Sequence, residues 1–177
     1  MQYKKFIKVI IILLISLKCN VLDAKETIVY IDLNKLMTTS LVGKDLSVKL
    51  NTYRKSNSEK LKKVFNKLKN DEKKLFAQKN VLDKSDFEKK YKEIQLEYKE
   101  YSKSIEGLQK DINNKLIKSQ AFILEQLTPI LSKYAKDNST NLILNKKNVI
   151  IGRTNLDITD NIMKSLNNKI KDIKLKN

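Results

Sequence analysis

The stretch FEKKYKEIQLEYKEYSKSIEGLQKDI, residues 87–112, decides how the rest of the chain is read. Eight of its residues, Phe87, Tyr91, Ile94, Tyr98, Tyr101, Ile105, Leu108 and Ile112, are apolar at strictly alternating steps of four and three. That is the seam of a heptad coiled coil, and lysine and glutamate fill the remaining positions. The next apolar residue, Leu116, arrives after four residues where three are due. Such a stutter locally relaxes the supercoil. A new stripe runs through Ile123, Leu127, Ile130, Leu131 and Tyr134. Read as one helix over 86–136, the segment is about 76 Å long, and Pro129 inside it is expected to kink it.

Upstream lies a second seam of Leu46, Leu50, Tyr53, Leu61, Phe65, Leu68 and Leu75, with Asn57 and Glu72 in its gaps. Asp83, Lys84 and Ser85 separate the two seams with turn residues, and Ser85 followed by Glu88 reads as a capping box. Two seams joined by a short polar turn bury each other as an antiparallel hairpin, here an arm over 46–136. Toward its tip Val64, Phe76 and Val81 fall off the seam. Together with Phe65, Leu68, Leu75 and Leu82 they form the candidate contact surface for a partner.

Outside the arm the period changes to that of strands. Ile28 to Leu33 is a β-branched run, Asn34 opens a helical stretch, and Gly43 is a candidate break. Leu142 to Leu144 and Val149 to Ile151 flank a polar turn and predict a β-hairpin. Asp157 or Thr159 caps a last helix carrying Ile158, Ile162, Leu166 and Ile170. The fold class is α+β and mostly α, with a body over 25–45 and 137–177 built by strands from both ends of the chain. Val29, Ile31, Leu33, Leu142, Leu144, Val149 and Ile151 are its candidate contacts. One strand and one hairpin make too small a core, so oligomerisation is expected to complete the body.

Residues 1–24 have the layout of a secretory signal: Lys4, Lys5 and Lys8, the aliphatic run Val9 to Leu17, then Leu22-Asp23-Ala24 as a cleavage site. An uncleaved anchor is the alternative, whereas Lys18 argues against a lipoprotein reading of Cys19. Cleavage removes four lysines and Asp23, taking the net charge from +17 to +14, and removes the only cysteine. The chain has no histidine and no tryptophan. Disulfides, zinc and haem lose their usual ligands, and general acid–base and thiol catalysis lose their usual groups. Three isolated glycines cannot cradle a phosphate. A non-enzymatic protein without a cofactor is expected. All but Arg54 and Arg153 of the 37 basic residues are lysine. That favours acidic partners and anionic lipid surfaces, with nucleic acid bound only non-specifically.

The order of elements resembles the Skp/OmpH family of periplasmic chaperones. The residues that carry the resemblance are Ile28–Leu33 with Asn34-Lys35-Leu36, then Leu127-Thr128-Pro129-Ile130-Leu131. They are followed by Asn141-Leu142-Ile143-Leu144 to Val149-Ile150 and Leu156-Asp157-Ile158-Thr159-Asp160. The resemblance implies a homotrimer with a small β-barrel body and helical tentacles around a cavity. It also implies an ATP-independent holdase that keeps unfolded outer-membrane β-barrel proteins from aggregating. Neither catalytic residues nor cofactors come with it. A lipopolysaccharide-binding patch proposed for some members has no residue-by-residue match here, so lipopolysaccharide enters as a partner on charge alone. The alternative reading is a coiled-coil envelope spacer without chaperone activity.

Overall fold

In the computed structural model, which describes residues 27–175, both long seams fold as helices. The chain opens with strand β1 (Thr27–Ile31), short helix α1 (Leu33–Thr39) and the ascending arm helix α2 (Leu41–Ala77). The descending helix α3 (Lys84–Asp137) leads to strand β2 (Thr140–Asn145), two 3-10 turns (Lys146–Asn148 and Thr154–Leu156) and helix α4 (Thr159–Lys169). The expected secretory segment, residues 1–24, lies outside the described residues. At ~1.5 Å per residue α2 spans about 55 Å and α3 about 81 Å.

Local chemistry moves several boundaries from where periodicity puts them. Asp32, not Asn34, opens α1, because its side chain accepts from the Lys35 backbone N–H at 2.8 Å. The break before the arm falls at Ser40, whose Oγ accepts from Gly43 N–H at 3.1 Å. Gly43 lies inside α2 and is buried. A Cβ built there would sit 2.1 Å from the Met37 carbonyl oxygen, so the end of α1 occupies the space a side chain would need.

At the tip the expected capping box does not form. Val81 and Leu82 N–H both bond to the Gln78 carbonyl, at 2.9 and 3.0 Å, and the chain enters α3 two residues earlier, with Asp83 at the cap position. Glu88 instead faces Lys84 at 4.0 Å. Helix α3 passes through Pro129 without interruption, so the missing donor removes one hydrogen bond and not the element.

The β-structure corrects the sequence reading most. Strand β2 pairs with β1, in parallel and in the register Ile28↔Leu142, Val29↔Ile143, Tyr30↔Leu144. Val149–Ile151 is not a strand, and no hairpin forms between it and β2. After β2 the Asn145 side chain accepts from Lys147 N–H at 3.2 Å and winds the chain into a 3-10 turn, directing it away from a hairpin return. The far side of β1 is touched once, by a bridge from Tyr30 to Asp157.

One core gathers both chain ends and the arm's base. Val29 and Ile31 from β1 meet Leu36, then Val42, Leu46 and Leu50 of α2. Ile123 and Leu127 of α3 and Ile158, Ile162 and Leu166 around α4 close it. The core thus extends a quarter of the way into α2, and the arm is rooted in it.

Because Gly43 is helical, its replacement by alanine would ordinarily stabilise by about 1 kcal/mol. The backbone in its way reverses the sign here. Gly43→Ala is expected to destabilise by about 1–3 kcal/mol, measured by urea unfolding. A stabilised variant would show that α1 does not pack this closely.

Candidate functional site

Two surfaces stand out: the flanks and tip of the arm, and the outer face and edge of the two-stranded sheet. The arm's seam is closed by Leu68, Leu75, Ile94 and Ile112, all buried. Of its polar gaps Asn57 donates to the Tyr53 carbonyl of its own helix at 2.9 Å, while Glu72 is paired across the helices. Tyr98 Oη donates to Glu72 Oε2 at 3.1 Å, and Tyr53 Oη donates to Asp111 Oδ2 at 2.6 Å. Lys115, only 4% exposed, lies 5.1 Å above the Tyr53 ring and 3.5 Å from Asp111. The Tyr53 bond, with Lys115 beside it, holds the Asp111 carboxyl below its ordinary value; the same bond raises the Tyr53 phenol.

Of the expected contact residues, Leu68 and Leu75 are buried in this seam and hold the arm together rather than offering surface. Leu82 is half-buried under the tip turn. Val64, Phe65 and Phe76 are exposed, and Val81, at 85%, is almost fully so. Phe76 packs edge-on against Phe87 and Tyr91, with ring centroids 5.7 and 5.9 Å away. Phe65 meets Tyr101 at 5.5 Å.

Sequence reading missed Leu96, 54% exposed, and overlooked how far the seam residue Ile105 is exposed. Leu96 breaks the heptad as an apolar residue at a polar position, a signal that was available. Val64 and Leu96 flank a groove of about 350 Å³; Phe65 and Ile105 flank another of about 330 Å³.

On the body, Val29 and Ile31 point into the core while Ile28 and Leu142, cross-strand partners, are exposed on the opposite face. Leu33, Leu144 and Val149 are half-buried. Ile150 and Ile151 are 98% and 92% exposed. The outer edge of β2 has no strand against it among the described residues, while the segment carrying Ile150 and Ile151 runs on to bridge β1 at Asp157. An apolar, unpaired parallel edge is normally covered by something else.

The body is tied across its ends by a relay. Asp32 N–H donates to Thr159 Oγ1 at 2.8 Å, and that hydroxyl donates to Asp157. Asp157 also accepts from Thr159 N–H at 3.0 Å and from Lys146 Nζ at 3.3 Å. Burial pushes the Asp157 carboxyl up, but these donors outweigh it and hold it below its ordinary value.

A two-helix arm rising from a small parallel sheet built by both chain ends defines a tentacled, non-globular class of protein. A match to the family described as Outer membrane protein (OmpH-like) covers residues 27–166, and the chain belongs to that family. The crystal structure of an OmpH-like protein from Caulobacter crescentus has the same fold. It is 19% identical, with a TM-score of 0.79 over 84% of this chain and 88% of that one. No curated protein matches at a significant level.

A depressed carboxylate pKa contributes stability that is complete above the unfolded value of about 3.9 and is lost as pH falls through the folded value. Asp157→Ala removes the acceptor of Thr159 N–H and is expected to cost about 1–3 kcal/mol at pH 7. The gap from the parent protein should narrow below pH ~4, where the parent loses the same carboxylate. Urea unfolding at both pH values checks it, and a gap independent of pH would count against the relay.

Proposed function

We propose that the protein is a periplasmic holdase chaperone, working without ATP or catalysis, that keeps unfolded outer-membrane β-barrel proteins from aggregating. The observation that carries this reading is the arm: a lysine-rich hairpin with no core of its own that leaves Val64, Phe65, Phe76, Val81, Leu96 and Ile105 exposed. Many weak apolar contacts, spread along arms of opposite charge to an acidic client, retain an unfolded chain yet release it without an energy source. Membership of the OmpH-like family supports the reading, and the Caulobacter neighbour is itself named as a candidate outer membrane chaperone. The signal-like pattern of residues 1–24 supports export to the periplasm.

The working unit in this proposal is a homotrimer. Ile28 and Leu142 on the exposed sheet face, with the exposed Ile150 and Ile151, supply the contact, and sheets from three copies close on one another so that the open edge of β2 is covered. Anionic lipid and lipopolysaccharide surfaces are secondary partners, attracted by the +14 charge left after removal of residues 1–24, and nucleic acid is bound only non-specifically.

A urea-unfolded outer-membrane β-barrel protein diluted into buffer should scatter less light when about one trimer per client is present. Val64→Ser with Leu96→Ser should weaken that protection several-fold while leaving unfolding of the chaperone nearly unchanged, since both side chains are exposed. Unchanged scattering with the parent protein would sink the chaperone reading. Light scattering on a size column should give a trimeric mass that Leu142→Lys reduces; a monomeric parent would sink the oligomeric one.

A further inference from the structure

The two grooves overlap along the arm, the one lined by Arg54 and Lys62 reaching nearer its base, and their walls carry opposite charge. Leu61 and Leu68 are a heptad apart on the seam, and Val64 and Phe65 project to either side of the line between them. Leu61 and Tyr101 belong to the floor of both grooves. On the Val64 side the charged lining is Glu97 and Glu100, the second also bonded by Lys103 of its own helix at 2.6 Å, beside the exposed Leu96. On the Phe65 side it is Arg54 and Lys62, beside the exposed Ile105. The arm therefore has an acidic-walled apolar flank and a basic-walled apolar flank, back to back.

This is the pattern of a surface complementary to its own copy through a head-to-tail contact. A two-fold contact would bring like charges together; a rotational ring brings one flank of each arm against the other flank of the next. The geometry points to a second copy of this chain as the occupant: in the absence of client, the acidic-walled Val64–Leu96 flank of one arm docks on the basic-walled Phe65–Ile105 flank of its neighbour. The inference rests on the oligomeric reading proposed above.

Physical considerations favour this occupant. A chain that keeps a net charge of +14 after loss of residues 1–24 repels its copies, so arms approach closely only where local charges alternate. At physiological salt the Debye length is about 8 Å, so the paired walls act at contact while the remaining lysines are screened. Arms tethered to one body meet at millimolar effective concentration, so a contact too weak to join free chains still forms. Its consequence is self-shielding: the apolar strips cover one another when the chaperone is empty, and a client must displace a neighbouring arm to be held.

The test uses the full chain with Cys19→Ser and two thiols on opposite flanks, Lys62→Cys and Glu97→Cys. Mild oxidation should give interchain bonds up to closed rings of the same mass that light scattering gives for the reduced protein. Either cysteine alone should leave the chains unlinked. Glu100→Lys added to the pair should slow bond formation about five-fold, and 0.5 M salt should slow it in the same direction. An unfolded β-barrel protein added beforehand should slow it too.

Dimers from a single cysteine mean that like flanks meet, and overturn the inference. So do bonds formed only within one chain, or rates indifferent to Glu100→Lys and salt. No interchain bonds in a sample that still scatters as an oligomer overturn arm pairing while leaving the holdase reading intact. A monomeric mass overturns arm pairing and the oligomeric reading together.

Discussion

The parallel pairing of Thr27–Ile31 with Thr140–Asn145 is the contact on which the rest of the molecule depends. Parallel neighbours cannot be joined by a tight turn; they need a crossover that carries the chain back to the starting end. In most α/β units that crossover is one helix lying on the sheet. Here it is the entire arm, α1 through α3, which leaves the body, turns at Gln78–Asp83 and returns. The sheet therefore closes the base of the arm. The arm in turn supplies most of the sheet's cover, through Leu46, Leu50, Ile123 and Leu127.

Above that base the arm is held by a single apolar line, so its polar interruptions matter more than they would in a globular core. Tyr53, Asp111 and Lys115 form one cross-helix layer, Tyr98 and Glu72 another. Such layers contribute little net stability, yet a one-turn slip would strand the buried Lys115 and part the half-buried carboxylates from their partners, so they fix the register of α2 against α3. The first layer sits where the heptad stutters, between Ile112 and Leu116, which is where an all-apolar seam would define the register least. Toward the tip the ring cluster of Phe76, Phe87 and Tyr91 does the same work with apolar area.

The features that serve function are those the fold leaves unfinished. Among the described residues several apolar side chains outside the seam stay exposed, on the arm flanks and on the outer face of the sheet alike. In a small monomer such surface is an aggregation hazard. Under the function proposed for this member of the OmpH-like family it becomes the means of contact: the body's share would meet copies of the chain, and the arm's share an unfolded client or the neighbouring arm.

The sequence by itself determined the arm, because a heptad is a local pattern read off consecutive turns of one helix. Phe87 to Ile112 and Leu46 to Leu75 appear as written, and the last helix follows from Ile158, Ile162 and Leu166 in the same way. Strand β1 was legible too, from its β-branched residues. What only the tertiary structure decided was pairing. Leu142–Leu144 and Val149–Ile151 read locally as a hairpin, but the partner of β2 is β1, more than a hundred residues away, and adjacent strand-like runs carry no record of that preference. Gly43 reads as a break and is a close packing contact, since the atom that demands glycine, the Met37 carbonyl, belongs to another helix. Likewise Leu68 and Phe65 share one seam, yet the first is buried and the second half open. Exposure at a seam position depends on the residue opposite, and that is set by the register of two helices and not by either sequence alone.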